Sequence, residues 1–431
     1  MSRTRVVITG IGQISPLGIG IESLSDCLRE RKSGVGHLQR IPVGKLPTSI
    51  GGEAHAFTGH IDDFGPLEKM TKRSIKKGLK LMCREIEMGV AAAQWAISNS
   101  GIEIGKIDPE RIGCVFGSDY IMTVPQEFSD AVNQCRNGDE VDFGKRGEQG
   151  LPKVEPLWLL KYLPNMPASH VAIYNDLRGP SNSLTVREAS SNMAIAEAFT
   201  TIGRGAADMI VCGSTGSRIH PLRSVHTSLQ EPVAQLKGVP ETSCRPFDKD
   251  RSGMVIGEGA GSVLLESLDS AQRRNAKIYG EVVGFGSSTV ASKTGMADFE
   301  TAFFNVIDTA LSIAGMNPQQ IGHVHAHGLS TIACDEGEAK AIQRACPDRP
   351  VTALKSYMGN LGAGSGMVEL IASLVSIDQG SIIPLLNYET PDAACPIQAA
   401  TDSDQPGDSF INLNITPQGQ ASAVVVKSFS A

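Results

Sequence analysis

The interpretation of this chain starts from a strand-turn-helix segment, GPSNSLTVREASSNMAIAEA, at residues 179–198. An apolar run leads into a sharp turn, and the stretch after the turn has the 3.6-residue apolar period of a helix. We expect the strand to end at Glu188, so that its side chain meets the positive end of the helix dipole, which favours an anion. Glu188 is therefore the first candidate for a catalytic residue.

Strands and helices alternate on both sides of this segment. The second half repeats the order of the first, which predicts an internally duplicated α/β fold, although no literal sequence repeat is visible. Residues from about 124 to 169 lack clean periodicity. We expect them to leave the core as a dimer contact or as a lid over the site.

Composition narrows the class of protein. The 431 residues are 41% hydrophobic and 20% charged, and the formal net charge is −7. Because no basic tract occurs, nucleic acid and anionic membranes are not expected as main partners. The nine cysteines are scattered without a C-x-x-C pair, and the first residues enter a strand directly, so we expect a cytoplasmic protein.

Two glycines after the first predicted strand, Arg5–Gly10, resemble a nucleotide-binding loop, but the resemblance fails. Gly10, Gly12 and Gly18 do not have the G-x-G-x-x-G spacing, and Glu30 ends a helix rather than a second strand. We interpret these glycines as tight-turn residues and predict that no cofactor is bound.

Three histidines alternate in the sequence HVHAH, at His323, His325 and His327. With Asp335 and Glu338 nearby, a metal site is conceivable, but three ligands on one straight strand do not easily converge on one ion. We therefore predict no metal, one functional histidine and two that are packed or at the surface. His327 is the favoured functional residue, because it ends the strand before a glycine.

Two further segments carry polar residues among glycines. Lys355 and Asn360 lie in ALKSYMGNLGAGSGMVELIASL, where a surface lysine and a helix cap are the simplest interpretations. The segment RPFDKDRSGMVIGEGAG, at residues 245–261, has a charge cluster followed by G-E-G-A-G. That order is too particular for composition to explain.

These motifs together identify a family resemblance that covers nearly the whole chain. The sequence resembles the elongating β-ketoacyl-acyl carrier protein synthases of the thiolase superfamily, from VVITGIGQISPLG through RPFDKDRSGMVIGEGAG and AHGLSTIACDEGEAKAI to LKSYMGN. The resemblance implies a duplicated, five-layered α-β-α-β-α fold with halves at residues 1–261 and 262–431. It also implies a dimer and a tunnel for acyl chains delivered by acyl carrier protein.

The resemblance also assigns roles at the site. Glu188 stands where the family has its nucleophilic cysteine, and Asn360 stands where it has a second histidine. His327 matches the first catalytic histidine, Lys355 the supporting lysine and Glu338 the acidic neighbour of that lysine. Each of these five residues is a predicted catalytic residue.

The segments that contact substrate depart from the family as well. Leu329 replaces the first threonine of the family's A-H-G-T-x-T motif, while Thr331 keeps the second. The mobile glycine-rich loop with its gating phenylalanine is replaced by residues 414–420, which we expect Pro417 to stiffen. Thr331 and Thr416 are the predicted substrate-binding residues.

These departures leave several functions open. A carboxylate cannot hold an acyl chain as a thioester, which favours an accessory role like that of a chain-length factor beside an active ketosynthase, as a heterodimer or as a homodimer. The next alternative is decarboxylation of a malonyl thioester through His327 and Asn360. Glu188 would repel the malonyl group unless protonated or paired, for example with His327, because Arg187 is expected to point away.

Two other reactions remain. Glu188 and His327 could form an acid-base pair for another reaction of an acyl thioester, such as hydrolysis or proton abstraction. An autonomous condensing synthase, the activity that similarity over the whole chain suggests, is the third-ranked function after the accessory role and decarboxylation.

Overall fold

The structure is a computed structural model that describes residues 4–44 and 46–429. Its strands are β1 (Val6–Ser15), β2 (Gly18–Ile19), β3 (Val35–His37), β4 (Ile50–Gly52), β5 (Ile112–Ser118), β6 (Arg136–Asn137), β7 (Glu140–Val141), β8 (Ser181–Thr185), β9 (Met209–Ser217), β10 (Ile256–Ser267), β11 (Gly280–Thr289), β12 (His323–His325), β13 (Pro350–Thr352), β14 (Gln398–Ala399), β15 (Ser409–Ile415) and β16 (Gln420–Lys427). Its α-helices are α1 (Gly20–Arg29), α2 (Lys69–Gly78), α3 (Arg84–Asn99), α4 (Ser129–Gln134), α5 (Met166–Asn175), α6 (Ser190–Gly203), α7 (Pro221–Gln230), α8 (Leu268–Arg273), α9 (Phe299–Ala314), α10 (Ile332–Ala345), α11 (Lys355–Met358) and α12 (Ser365–Gln379).

The strands form two groups with one topology. The first group has the spatial order β1-β10-β9-β5-β8, and the second has the order β11-β16-β15-β12-β13. In each group the first two pairings of this order are antiparallel and the last two are parallel. The groups join where β1 pairs with β11. The predicted duplication is therefore confirmed, because the two halves repeat both strand order and strand direction.

Helices cover both groups of strands and complete five layers. Helix α3 packs on β1, β9 and β10, and helices α9 and α10 cover the outer side of the second group. Helices α6 and α12 contact each other between the two groups of strands. The order of layers is thus α-β-α-β-α, as the resemblance implied.

The alternation of side chains along the strands explains this layering. In β10, Val263 and Leu265 belong to the core cluster around α6 and α12, while Leu264 between them belongs to the cluster around α3. In β16, Val424 faces the central cluster and Val425 the outer one. Because successive residues of a strand point to opposite faces, a continuous apolar strand is buried on both sides.

Local signals set the ends of the helix that covers the second half. The side chain of Asp298 accepts a hydrogen bond of 3.0 Å from the backbone N–H of Thr301, which caps the start of α9. The helix ends at Ala314, and Gly315 after it has a φ of 63°, the left-handed conformation that glycine adopts without strain.

The glycines of β1 pack against a helix, and the prediction that they form a tight turn is wrong. Gly10 and Gly12 lie within the ten-residue strand. A Cβ atom on Gly12 would lie 2.5 Å from the carbonyl oxygen of Ala92 in α3. These positions lack a side chain because α3 approaches the backbone of β1 directly.

The excursion between β5 and β8 stays outside the main sheet. Its hairpin, β6–β7, forms a separate two-stranded sheet, and its exposed apolar side chains include Phe143 and Leu151. Across residues 4–44 and 46–429, no helix is long and apolar enough to cross a membrane.

The packing of β1 on α3 makes a prediction about stability. We expect Gly12→Ala to lower the free energy of unfolding by about 1–3 kcal/mol, because the new methyl group must push α3 away. Gly36→Ala is the control, since a Cβ at Gly36 meets no atom within 4 Å. Urea unfolding followed by circular dichroism measures both variants, and equal losses would contradict the close approach.

Candidate functional site

The site is built where parallel strands end. Glu188 follows β8, Arg218 follows β9 directly, His327 follows β12, and Lys355 and Asn360 follow β13. Strand β8 ends at Thr185, three residues earlier than predicted, and Glu188 lies in the one-turn 3₁₀ helix Arg187–Ala189 before α6. The turn carries the Glu188 side chain away from the strand and into the interior.

Glu188 is buried in an ion pair. Its side chain is 1% exposed, and its Oε1 atom forms a close ion pair with Nη2 of Arg218, whose side chain is fully buried. The Nδ2 atom of Asn360 donates a hydrogen bond of 3.2 Å to the same oxygen. These contacts give the carboxylate a counter-charge and a donor in a water-excluded place.

Two expectations about the neighbours of Glu188 are wrong. Arg187 does not point away, because its Nε atom lies 3.5 Å from Oε2 of Glu188. Both residues belong to a 3₁₀ turn, in which neighbouring side chains do not alternate as they do in a strand. Among the described residues, His327 makes no ion pair with Glu188, and Arg218 occupies that role.

Arg218 stays charged despite its burial. Burial lowers the pKa of Arg218 to about 10, which is still well above neutral pH. Its Nη1 atom donates a hydrogen bond of 3.2 Å to Oγ1 of Thr227 in α7. The guanidinium is therefore a fixed positive charge beneath Glu188.

A second buried pair continues the network. Arg223 and Asp119 form a close ion pair, and Nε of Arg187 lies 3.7 Å from Oδ2 of Asp119. Glu85 lies near this pair, and burial raises its pKa to about 8. The region around Glu188 thus holds a second ion pair, and Glu85 beside it is mostly protonated at neutral pH.

His327 is held in one tautomer by Lys355. The Nζ atom of Lys355 lies 3.2 Å from Nδ1 of His327 and donates bonds of 2.8 Å to its carbonyl and 2.6 Å to Oε1 of Glu369. Because the ammonium group has only hydrogens to offer, Nδ1 is the acceptor and neutral His327 carries its hydrogen on Nε2. Burial, with help from Lys355 and Arg218, lowers the pKa of His327 well below its usual value.

Glu338 does not pair with Lys355, contrary to the prediction. The acid that pairs with Lys355 is Glu369, which also accepts a hydrogen bond of 2.8 Å from Asn414. Glu338 instead accepts from the backbone N–H groups of His327, at 2.5 Å, and Gly328, at 2.8 Å. Its carboxylate fixes the turn after β12, and burial raises its pKa to about 8.

The other two histidines of the alternating strand are buried and hydrogen-bonded. Nδ1 of His325 lies 2.7 Å and Nε2 of His323 lies 3.0 Å from Oγ of Ser373. Burial lowers the pKa of His323 to about 4, so it is neutral at physiological pH. Among the described residues, no group of three histidine, cysteine, aspartate or glutamate side chains is arranged to hold a metal.

Asn360 is oriented toward Glu188 by its own carbonyl. Its Oδ1 atom accepts hydrogen bonds of 3.0 Å from the backbone N–H of Gly362 and 3.1 Å from Oγ of Ser365. The amide nitrogen therefore faces the interior, where it contacts Glu188 and the sulfur of Met254.

A cleft of about 830 Å³ leads toward these residues. Thr331 and Thr416, the predicted substrate-binding residues, both line it, together with Leu329 and Pro417. Glu188, His327 and Asn360 are each 1% exposed and are not among its lining residues. The two threonines therefore line the cleft, whereas Glu188, His327 and Asn360 are buried and are not exposed to it.

The loop predicted at residues 414–420 is a tight turn. Residues Asn414 and Gln420 belong to β15 and β16, so only four residues connect these strands. The N–H of Thr416 donates to the carbonyl of Gln420 and the N–H of Gly419 to that of Thr416, each at 2.9 Å.

Sequence reasoning missed three residues of the site: Arg218, Glu369 and Asn414. Two of them had a signal, because Arg218 directly follows a strand with no other charge, and Glu369 is the one acid in the apolar stretch GMVELIASLV. Asn414 gave no signal of its own.

The cysteines offer no substitute nucleophile. All nine are free thiols. Cys212 is fully buried within β9, and burial raises its pKa well above the usual value. Cys334 lines the cleft but is buried, and its pKa is raised for the same reason.

The family models and the known proteins that match this chain all describe the same kind of synthase. The family models described as "Beta-ketoacyl synthase, N-terminal domain" and "Beta-ketoacyl synthase, C-terminal domain" match residues 3–271 and 279–389. The "3-oxoacyl-[acyl-carrier-protein] synthase 2" of Coxiella burnetii is 31% identical over 402 residues, covering 92% of this chain and 91% of that protein. The protein of the same name from Staphylococcus aureus is 30% identical, with 99% of each chain covered.

Solved structures share the fold. "The ishigamide ketosynthase/chain length factor" superposes with a TM-score of 0.83 at 24% identity, over the full length of both chains. A β-ketoacyl synthase from Burkholderia phymatum has a TM-score of 0.84 at 24% identity, with 99% of this chain and 100% of that chain covered.

The buried ion pair makes a prediction about stability. We expect Glu188→Gln to lower the free energy of unfolding by about 3–5 kcal/mol, because Arg218 is left without its closest counter-charge. The double variant with Arg218→Met should regain a substantial part of this loss, as urea unfolding would show.

Glu197→Gln is the control, since Glu197 lies on the same helix, α6, and should change stability by less than about 0.5 kcal/mol. A single variant at Glu188 that is as stable as the wild type would contradict the role given to the pair.

Proposed function

Because the chain belongs to the β-ketoacyl synthase family, we propose that it is a noncatalytic subunit that works beside an active ketosynthase on acyl-carrier-protein thioesters. The observation that carries this proposal is the Glu188 carboxylate, ion-paired to Arg218 at the position where the resemblance puts the nucleophile. Acyl transfer to a carboxylate would give a mixed anhydride, which is too labile in water to store a chain for a second substrate.

The ion pair adds to this chemical argument. A carboxylate neutralised by a buried guanidinium is a weaker nucleophile than a free one, because attack must separate the charges in a low dielectric. The arginine and the acids around it also make the interior around position 188 polar, which disfavours an apolar chain there.

The cleft supports a continued relation to carrier-bound substrates. Thr331 and Thr416 lie at its border and offer hydroxyl groups, while most of the lining is apolar, which suits an arm with amide groups. The protein can therefore receive a carrier arm without performing the condensation. A heterodimer with an active ketosynthase fits this role, and a solved complex of similar fold is named as a ketosynthase with its chain length factor.

The main test is the mass of the intact protein after exposure to acyl- and malonyl-acyl carrier protein. We expect no acyl adduct on the wild-type chain, and we expect elongation only when a ketosynthase with a complete Cys-His-His triad is added and copurifies. Elongation by the chain alone, or a stable adduct on it, would refute the noncatalytic role.

A substitution tests whether the identity of this one side chain limits acylation. We expect Glu188→Cys to gain an acyl adduct by mass, because Arg218 beside the new thiol would lower its pKa and favour the thiolate. The matched control is Glu197→Cys on the same helix, which should gain none. If Glu188→Cys also stays unmodified, the charged groups around the site exclude acyl chains independently of the nucleophile.

Decarboxylation of a malonyl thioester is the second candidate, and the tautomer of His327 favours it. With Nδ1 occupied by Lys355, the Nε2–H group is a donor suited to stabilise an enolate oxygen. Carbon dioxide release from malonyl-acyl carrier protein should then occur without a partner and fall at least about 100-fold in His327→Ala. His37→Ala, at an exposed histidine of β3, should leave it unchanged, and no release at high protein concentration would exclude this candidate.

A further inference from the structure

Glu85 is a buried acid that has no role among the residues assigned to the site. It lies in the first turn of α3, and its side chain is 6% exposed. Its Oε1 atom makes no hydrogen bond, and among the described residues Glu85 has no partner in an ion pair. Because a buried carboxylate without a counter-charge is costly, this position favours the protonated acid. Burial accordingly raises the pKa of Glu85 to about 8.

Arg223 is the basic group that lies closest to Glu85 in its effect on the acid. Both residues line a cavity of about 250 Å³, which also reaches the exposed residue Arg40. The guanidinium of Arg223 is held by a close ion pair with Asp119 and by a close hydrogen bond to the carbonyl of Tyr120. Its Nε atom has no partner. Arg223 is therefore near two acids but engaged by only one of them.

The chain of charges continues from Asp119 to the site. The Nε atom of Arg187 lies 3.7 Å from Oδ2 of Asp119 and 3.5 Å from Oε2 of Glu188. Neither Nε of Arg187 nor Oε2 of Glu188 makes a hydrogen bond. Atoms without a hydrogen-bond partner therefore occur at both ends of this chain and within it. Because buried polar groups normally find partners, such a chain has the free donors and acceptors that an exchange of partners requires.

This largely buried cluster has one more acid than it has arginines. Its members are the acids Glu85, Asp119, Glu188 and Glu231 and the arginines Arg187, Arg218 and Arg223. With every acid ionised, the cluster would carry a net negative charge in a water-excluded interior, which is unfavourable. One bound proton removes that charge, and Glu85 is the acid left without a pair.

Other titratable groups near this acid supply no counter-charge. Arg84 is already paired with Glu258 at 2.7 Å. Burial raises the pKa of the Cys83 thiol to about 12 and lowers the pKa of His220, so that both are neutral at physiological pH. Burial also raises the pKa of Glu87 to about 7. Glu87 is thus a second titrating acid of the same helix, which an experiment must distinguish.

We propose that Glu85 is a proton-operated switch, and that loss of its proton draws Arg223 away from Asp119. The free Nε–H group of Arg223 is the donor that the Glu85 carboxylate engages. Asp119 is then compensated by Arg187, which moves away from Glu188. The proton passes to water through the cavity that both Glu85 and Arg223 line. The pair between Arg218 and Glu188 persists in both states, so the switch changes only the outer contacts of Glu188.

Helix α7 connects this switch to the cleft. Arg223 is the third residue of α7, and it ties the helix to the segment after β5. The same helix ends at Gln230, which lines the cleft together with Glu231. A change in the contacts of Arg223 therefore acts on an element that forms part of the cleft wall. This regulation goes beyond the proposed function and does not depend on it.

The first test measures the proton on Glu85 directly. In protein labelled with ¹³C at the side-chain carboxyl of glutamate, one resonance should titrate with a midpoint near pH 8 and be absent from Glu85→Gln. Glu87→Gln is the matched control, because it removes the neighbouring acid of α3 and should leave this resonance in place. A Glu85 carboxyl that keeps one protonation state between about pH 6 and pH 10 would overturn the proposal.

A second measurement follows Arg223 in the same titration. The ¹⁵Nε resonance of Arg223, identified by its loss in Arg223→Met, should shift with the midpoint of Glu85 because Nε gains an acceptor. The shift should be absent from Glu85→Gln and unaltered in Glu87→Gln. If Glu85 titrates while the Arg223 signal stays constant, no exchange of partners occurs and the switch is refuted.

Two variants should move the midpoint of Glu85 in opposite directions. Asp119→Asn should lower it by at least about one pH unit, because a like charge is lost and Arg223 becomes available. Arg223→Met should raise it by at least about one pH unit, because the attracting charge is lost. Equal midpoints in both variants would contradict the coupling. If either variant fails to fold, the two titrations of the wild-type chain decide the proposal. An acyl adduct on the chain would refute the noncatalytic role and leave this proposal standing.

Discussion

The structure of the site depends on the buried ion pair between Glu188 and Arg218. Each of these charges is expensive to remove from water, and their mutual attraction offsets that cost only when both are present in good geometry. Asn360 donates one hydrogen bond to Glu188, and Arg218 donates one to Thr227. The charge at position 188 is therefore compensated mainly by this one contact.

The pair belongs to one of two hydrogen-bonded networks, and each network lies within one half of the fold. Glu188, Arg218 and Asp119 follow strands of the first half, whereas His327, Lys355 and Glu369 belong to the second. In the site, the hydrogen bond from Asn360 to Glu188 joins the two. A second contact links the halves behind the site, because Nδ2 of Asn192 in α6 donates a hydrogen bond of 3.3 Å to Oδ1 of Asn414, whose own Nδ2 donates to Glu369.

The order of the layers was implied by the family resemblance, and the duplicated α/β fold by the residue pattern, but neither gave the details at the strand ends. Alternating apolar patterns fixed which segments are strands and which are helices. They could not show that the chain turns into a 3₁₀ helix at Arg187, which reverses the direction of its side chain relative to a strand. The glycines of β1 were misread for a related reason, since a close helix is invisible in the local pattern.

The partners within the site were the least predictable part. The family resemblance made Glu338 the expected partner of Lys355, whereas Glu369 reaches that lysine from a different helix. Arg218 lies 30 residues beyond Glu188 and meets it only because β9 and β8 flank β5 in the sheet. Tertiary neighbours of this kind depend on topology, which a single sequence specifies only through the whole fold.

The tight turn between β15 and β16 affects how a ligand can enter the cleft. Two backbone hydrogen bonds and Pro417 make the turn that lines one side of the cleft rigid. The opening of the cleft therefore has a constant width on this side. We therefore expect entry on this side to depend on the width and stiffness of the entering molecule and not on movement of this turn.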